Sequence, residues 1–278
     1  MMLRRRRHRR HTHCELSIYD PIPFGIDENG DPVAVTLMYR NLLAGGEPGS
    51  GKSSLLNTII AHAALCSDVK LWLFDGKIVE LGLWRPVADT FVGNTIHDAL
   101  DRLHELQAEM DTRYRQLDAA GRRKIVRTDG LDVILCVIDE LAYFSVTIGT
   151  PAEQDEFKTL VRDLVARGRA AGIIMIAATQ RPSADIIPTS LRDLFGFRVA
   201  FRCTTDSSSD IILSVGWAKE GYSARTIRPE DIGIGWILAE GGIPRRFKAA
   251  YLTDAQIRAV ITTALRRRRS SRGTNPAA

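Results

Sequence analysis

Short apolar runs alternate along the chain with longer segments in which apolar residues return every three or four positions. The runs RNLLAGG, VKLWLFD (69–75), VILCVIDE (133–140), GIIMIAAT (172–179), FRVAFR (197–202) and GIGWILAE (233–240) read as strands. Most lack the polar alternation of a half-solvated sheet, so they predict parallel strands buried on both faces. Between them, Ile96, Leu100, Leu103, Met110, Tyr114 and Leu117 form one helical stripe, and Phe157, Leu160, Val161, Leu164 and Val165 a second. Both stripes are core faces. Upstream, PVAVTL follows DENGD, whose Asn29-Gly30 favours a tight turn, which predicts a small N-terminal β-rich segment ahead of the main sheet. The pattern as a whole predicts an α/β domain with a mostly parallel central sheet and helices on both faces. Ligand sites in such a domain lie at the carboxyl ends of the strands.

One strand end carries GGEPGSGKSS. Gly46, four residues, then Gly51-Lys52-Ser53 satisfies the spacing of a phosphate loop, in which backbone N–H groups, a lysine and a hydroxyl surround a nucleotide's phosphates and magnesium. The helical spacing of Leu55, Ile59 and Ala63 follows directly, so strand, loop and helix come in the required order. Gly46, Glu47, Pro48, Gly49, Ser50, Gly51, Lys52, Ser53 and Ser54 are the candidate ATP-binding residues.

A second strand, VILCVIDE, ends in the adjacent carboxylates Asp139 and Glu140. Asp139, with Ser53 opposite, is the candidate for the Mg2+ shell, directly or through water. Glu140 is the candidate for polarising the attacking water. Such a pair favours hydrolysis over phosphorylation of a small molecule, because a kinase must keep water from the γ-phosphate. A third strand ends on Thr179 and Gln180, and a glutamine there can bond both the water and the γ-phosphate. The strand VKLWLFD, lying between the first two pieces in sequence, fits an additional-strand P-loop NTPase.

Composition narrows the setting. At 278 residues, 45% hydrophobic and 26% charged, the chain is long enough for one large domain with appendages. No window reaches eighteen consecutive apolar residues, so neither a membrane span nor a signal peptide is expected. Cys14, Cys66, Cys136 and Cys203 are scattered, as in a reducing, cytoplasmic setting. His8, His11, His13 and Cys14 cluster, but no second ligand pair accompanies them. The net charge of +5 divides unevenly. Residues 1–10 hold six arginines and residues 266–278 hold five, leaving 27 basic and 33 acidic groups in between. An acidic body between two basic tails attracts polyanions without reading sequence.

GGEPGSGKSSLLNTII, LFDGKIVELGLW, AEMDTRYRQL, VIDELA, ARGRAAGIIMIAATQRP and FRVAFR occur in the order and approximate spacing of the FtsK/SpoIIIE family of DNA-translocating ATPases, which the chain resembles from roughly Pro21 to Leu252. The later PEDIGIGWILAEGGIPRRFKAAYLTD resembles actinobacterial members carried on transmissible plasmids and integrative elements. The resemblance implies a RecA-like P-loop NTPase that assembles as a homo-oligomeric ring, a hexamer in expectation, and threads double-stranded DNA while hydrolysing ATP. It implies roles for Lys52, Ser53, Asp139, Glu140 and Gln180 matching those above. Arg169 matches an arginine of the family's ARAAG segment and, with Arg167, is a candidate for completing a neighbour's active site. RPSADIIPTSLRDLFGFR would face the pore, with Arg181, Arg192 and Arg198 toward DNA phosphates.

Two departures stand out. Asp75-Gly76-Lys77 replaces the family's DPK, and Asp210 replaces the arginine of its SRTIL, which puts an intersubunit contact there in doubt. The expected partition is a basic disordered tail (1–16), a β-rich lead-in (17–40), the motor domain (41–256) and a helix end with a basic disordered tail (257–278). The amino-terminal membrane region and carboxy-terminal winged helix of some members are not visible. That leaves open a motor without its anchor, one meeting a membrane-anchored partner at the inner face of the membrane through its arginines, or a shortened reading frame. The favoured function is translocation of duplex DNA in conjugative transfer, mobile-element maintenance or chromosome partitioning. A protein-secretion ATPase of the same superfamily and a non-translocating, ATP-dependent DNA-binding assembly protein are the alternatives.

Overall fold

The computed structural model describes residues 16–273. The arginine-rich amino terminus, with His8, His11, His13 and Cys14, lies outside the described residues. Strands β1 (Ile22–Asp27), β2 (Pro32–Val35), β3 (Leu42–Gly45), β4 (Val69–Phe74), β5 (Thr90–Val92), β6 (Val133–Ile138), β7 (Ile173–Thr179), β8 (Phe197–Phe201), β9 (Ile234–Ala239) and β10 (Arg245–Ala249) form one sheet. Their order is β2-β1-β10-β9-β8-β3-β7-β6-β4-β5. From β8 to β5 every pairing is parallel, and from β8 to β2 every pairing is antiparallel.

The central strands are apolar on both sides because helices cover both sides. Leu135, Val137, Ile174 and Ile176 face one layer, with Leu55, Leu56 and Ile59 of α1 (Lys52–Leu65) and Ile257 and Ile261 of α6 (Asp254–Gly273). Ile134, Cys136, Ile138, Ile173 and Met175 face the other, with α2 (Ile96–Ala119) and α3 (Pro151–Arg167). The period-two alternation within each strand thus divides one run between two cores. Every residue of both predicted stripes is buried except Tyr114, which is half-buried. At the start of α3 the Thr150 hydroxyl accepts from the Glu153 N–H, Glu153 accepts from the Thr150 N–H at 2.6 Å, and Pro151 follows the cap.

Four expectations need correction. The strand inserted between the phosphate-loop strand and the acid-pair strand is β7, not VKLWLFD, which as β4 lies outboard of β6. GIGWILAE is antiparallel, because Gly241-Gly242 turns it into the hairpin with β10. The lead-in is not a separate sheet. Asp27 accepts from the N–H groups of Asn29 and Asp31 across the expected turn, but β1 also pairs with β10, where a Cβ on Gly25 would lie 1.9 Å from the Lys248 carbonyl oxygen. Finally, α6 carries the arginine run onward as helix to Gly273, since Ile257, Ile261 and Ala264 bury against the body. Arg267 donates to the Leu65 carbonyl at 2.9 Å, at the carboxyl end of α1. No helix among the described residues is long and apolar enough to cross a membrane.

Candidate nucleotide-hydrolysis site

The parallel strands bring their carboxyl ends into line. Gly45 of β3 is paired with Thr179 of β7 and with Ala200 of β8, and Ile138 of β6 with Phe74 of β4. The residues that follow therefore converge: the phosphate loop, Gln180, Asp139 and Asp75.

Gly46, Gly49 and Gly51 have φ values of 148°, 72° and 121°, and Gly51 leads directly into α1. These values need glycine, and they turn the loop over the amino end of the helix, where unpaired N–H groups and the helix dipole favour an anion. The loop is strapped on two sides: the Gly46 N–H donates to the Thr179 carbonyl at 3.3 Å, and the Glu47 N–H to the Arg202 carbonyl at 2.9 Å. Arg202 also forms an ion pair with the Glu47 carboxylate. Lys52 is buried, and its ammonium donates to the carbonyls of Gly46 and of Glu47, the latter at 2.8 Å. Burial lowers its pKa to about 8, against the opposing pull of Glu140 and Asp139.

Asp139 is 5% exposed, and its Oδ2 is buried with no hydrogen-bond partner. Burial first, then the charges of Glu80 and Asp75, push its pKa up to about 7. Glu80 was not among the sequence candidates. Its Oε2 accepts from the Ser53 hydroxyl at 3.3 Å, and Lys77 lies 3.6 Å away. Asp75 is fully buried and holds its loop by accepting from the N–H groups of Leu81 (2.8 Å) and Lys77 (3.1 Å). A Cβ on Gly76 would lie 2.3 Å from the Tyr143 ring, so a proline at that position would have to displace Tyr143. The segment quoted for the resemblance, LFDGKIVELGLW, held the signal for both acids.

The bare Asp139 oxygen is a hard donor short of a cation and the Ser53 hydroxyl is a second, which fits Mg2+ held by these two residues together with a nucleotide's phosphates. No cluster of three or more acidic, histidine or cysteine side chains among the described residues forms a metal site by itself. The buried Lys52 ammonium, held only by the Gly46 and Glu47 carbonyls, is correspondingly short of an anion. Magnesium and a polyphosphate together would satisfy both.

Glu140 is buried beside Asp139. Its Oε1 accepts from the Thr179 hydroxyl at 2.6 Å and the Ala142 N–H at 3.2 Å, and its Oε2 from the Gln180 N–H at 2.8 Å. Gln180 therefore meets the acid through its backbone, and Thr179, unassigned from sequence, is the side chain that touches it.

The arginines separate. Arg181 is 66% exposed, with Asp185 at 3.7 Å. Arg192, in the short helix α4 (Thr189–Arg192), is buried; it pairs with Asp193 at 2.9 Å and donates to the Asp210 carbonyl at 3.4 Å. Arg198, in β8, is largely buried and donates to the Ser214 hydroxyl at 2.9 Å. As folded, only Arg181 of the three presents its charge to solvent; the other two face carboxylate, carbonyl and hydroxyl oxygens within the fold. Asp210, in α5 (Asp206–Leu213), accepts from the N–H groups of Gly216 and Ala218, which gives it a local role in place of the family's arginine. Arg167 is bound to Asp163 and Asp111, both of which raise its pKa further. Arg169 is half-exposed, 3.9 Å from Glu240.

The FtsK/SpoIIIE family model matches residues 3–133. The DNA translocase FtsK of Staphylococcus aureus (strain Mu50 / ATCC 700699) is 29% identical over 264 residues, which cover 86% of this chain and 32% of that protein. The chain thus spans about a third of the length of the curated relatives it matches. The structure of the pCW3 conjugation coupling protein TcpA, in its monomer form with ATPγS, superposes with a TM-score of 0.78 at 24% identity, covering 90% of this chain and 71% of that one. The cytoplasmic domain of the Thermomonospora curvata type VII secretion ATPase EccC superposes with a TM-score of 0.69 at 21% identity, covering 88% and 31%. These superpositions establish the open, mostly parallel P-loop ATPase fold.

Proposed function

We propose that the chain is a motor of the FtsK/SpoIIIE type that hydrolyses ATP to translocate double-stranded DNA as a homo-oligomeric ring, in conjugative transfer, mobile-element maintenance or chromosome partitioning. The observation that carries the reading is the continuity of β7. This strand lies between the phosphate loop and the acid pair, its last residue Thr179 and the following Gln180 N–H both hydrogen-bond Glu140, and the exposed Arg181 comes directly after Gln180.

In this reading the loop N–H groups and the Lys52 ammonium bind the β- and γ-phosphates. Bound Mg2+ supplies charge neutralisation of the phosphates, with Ser53 and Asp139 as the residues to hold it. Glu140 orients water toward the γ-phosphate and takes up its proton. Loss of that phosphate is felt at Thr179 and Gln180 because they share a sheet edge with the loop. Arg181, a point of positive charge that reads no base, suits a motor that must grip any sequence.

The test is ATP hydrolysis measured with and without linear duplex DNA at two salt concentrations. Strong stimulation that weakens at the higher salt is expected. No response to any duplex at low salt overturns the reading, and stimulation by a peptide substrate instead would move the protein to the secretion ATPases.

A further inference from the structure

Thr179 is fully buried at the last position of β7, and its hydroxyl does two things at once. It donates to Glu140 Oε1 at 2.6 Å, and it accepts from the Arg181 N–H at 3.1 Å while lying 3.3 Å from the Arg181 carbonyl. One hydroxyl therefore joins the acid that must orient water to the first residue of the exposed loop. The Gln180 N–H, on the peptide between them, is bonded to Glu140 Oε2. With the Ala142 N–H on Oε1, three donors occupy three of the four lone-pair sites of the carboxylate. Packing does not require this arrangement, since valine would fill the same space without a donor. Arg192 and Arg198 are turned into the fold, so Arg181 is the charge of this segment that a polyanion can reach directly.

We propose that Thr179 is a positioning residue that restrains Glu140 until DNA is engaged. A duplex phosphate gripping Arg181 shifts the Arg181 backbone, withdraws the Thr179 hydroxyl and the Gln180 N–H from the carboxylate, and frees an oxygen to orient water. The link runs through two backbone positions, so a displacement of the size of one hydrogen bond is enough to break it. The proposal rests on the reading of the chain as a DNA-stimulated ATPase, and it identifies the residue through which the stimulation passes.

The test compares wild type with Thr179→Val, which keeps the shape and removes the hydroxyl, and Thr179→Ser, which keeps the hydroxyl. Hydrolysis is followed over a range of ATP concentrations with and without linear duplex. Thr179→Val should raise kcat without DNA on the order of tenfold, the population shift expected from losing one hydrogen bond to a charged group. It should leave the KM for ATP unchanged and shrink the stimulation ratio by the same factor, while Thr179→Ser restores the ratio. A parallel fall of kcat with and without DNA, or no change in either, overturns the proposal. If Thr179→Val does not fold, Thr179→Ala takes its place with the same outcomes. A wild type that ignores duplex DNA would refute the DNA reading, while the DNA-free kcat of the variant would still report whether Thr179 restrains Glu140.

Discussion

The N–H of Gly233 donates to the carbonyl of Ser50 at 2.9 Å, so a residue at the approach to β9 braces the phosphate loop from the far part of the chain. The two segments are close enough that a Cβ on Gly51 would lie 2.6 Å from the Gly233 Cα, and Gly233 itself sits at φ +85°. Gly233→Ala strains that backbone by about 1 kcal/mol, because its Cβ has room, with only the Ala249 carbonyl oxygen at 3.8 Å, but its φ does not suit an L side chain. Relief of the strain loosens the brace. The expected result is a modest loss of stability in urea together with a several-fold weaker affinity for a fluorescent ATP analogue. Wild-type affinity in a destabilised variant would show that the loop does not depend on the brace.

The bare Asp139 carboxylate makes the nucleotide-free protein sensitive to pH. Its pKa is raised to about 7 in the fold, against about 4 in an unfolded chain. Between those values the fold keeps a proton that the unfolded chain has released, so this group's contribution to stability falls as pH rises from about 4 to about 7. Asp139→Asn removes the charge and keeps the shape. Without nucleotide or magnesium the variant should be more stable than wild type by about 4 kcal/mol at pH 8, with the gap narrowing toward pH 5, while hydrolysis is lost. Denaturation by urea at the two pH values measures both gaps. A gap that fails to widen with pH would remove the strained carboxylate from the account.

The strands that carry the chemistry were legible because burial on both faces leaves them apolar throughout, so that a polar residue appears only where the strand stops. VILCVI runs into Asp139 and Glu140, and IIMIAA into Thr179 and Gln180. The strand RRFKA of β10 was not legible, because it alternates arginine and lysine with buried Phe247 and Ala249, and β5 is only three residues long. Sequence order also could not reveal that β7 inserts between β3 and β6, since parallel neighbours are joined through distant crossovers. Charge misled most. An arginine bound for solvent and one bound for an internal carboxylate look alike, and the adjacent Asp193 was the available sign that Arg192 is the second kind.

That distinction separates two arginine variants. Arg181→Ala removes an exposed charge, so stability should change little, while duplex affinity falls uniformly across sequences and its salt dependence becomes about one ion shallower. Arg192→Ala strips a buried partner from Asp193 and the Asp210 carbonyl, at a cost of about 2 kcal/mol in stability. Thermal unfolding and duplex titrations at several salt concentrations distinguish the two. If Arg192→Ala keeps full stability and alone changes the salt slope, the inward placement of Arg192 is not the one that meets DNA.

Arg169 lies four positions before the first residue of β7 and Thr179 is its last, so the seven-residue length of the strand separates them. At about 3.3 Å per residue that separation is roughly 23 Å, so Arg169 stands at the opposite edge of the sheet from its own phosphate loop. It cannot stabilise the phosphoryl group bound to its own chain, and Arg167 is committed to Asp163 and Asp111. In a ring, Arg169 would meet a neighbour's site. Arg169→Ala should then lower kcat by about a thousandfold with little change in nucleotide affinity. Lys52→Ala should be equally inactive, for lack of nucleotide binding. Mixing the two should restore part of the activity, because a chain carrying Lys52 can then sit beside one carrying Arg169. Hydrolysis at the wild-type rate by Arg169→Ala alone, or mixtures no more active than their parts, would mean that each chain completes its site without Arg169.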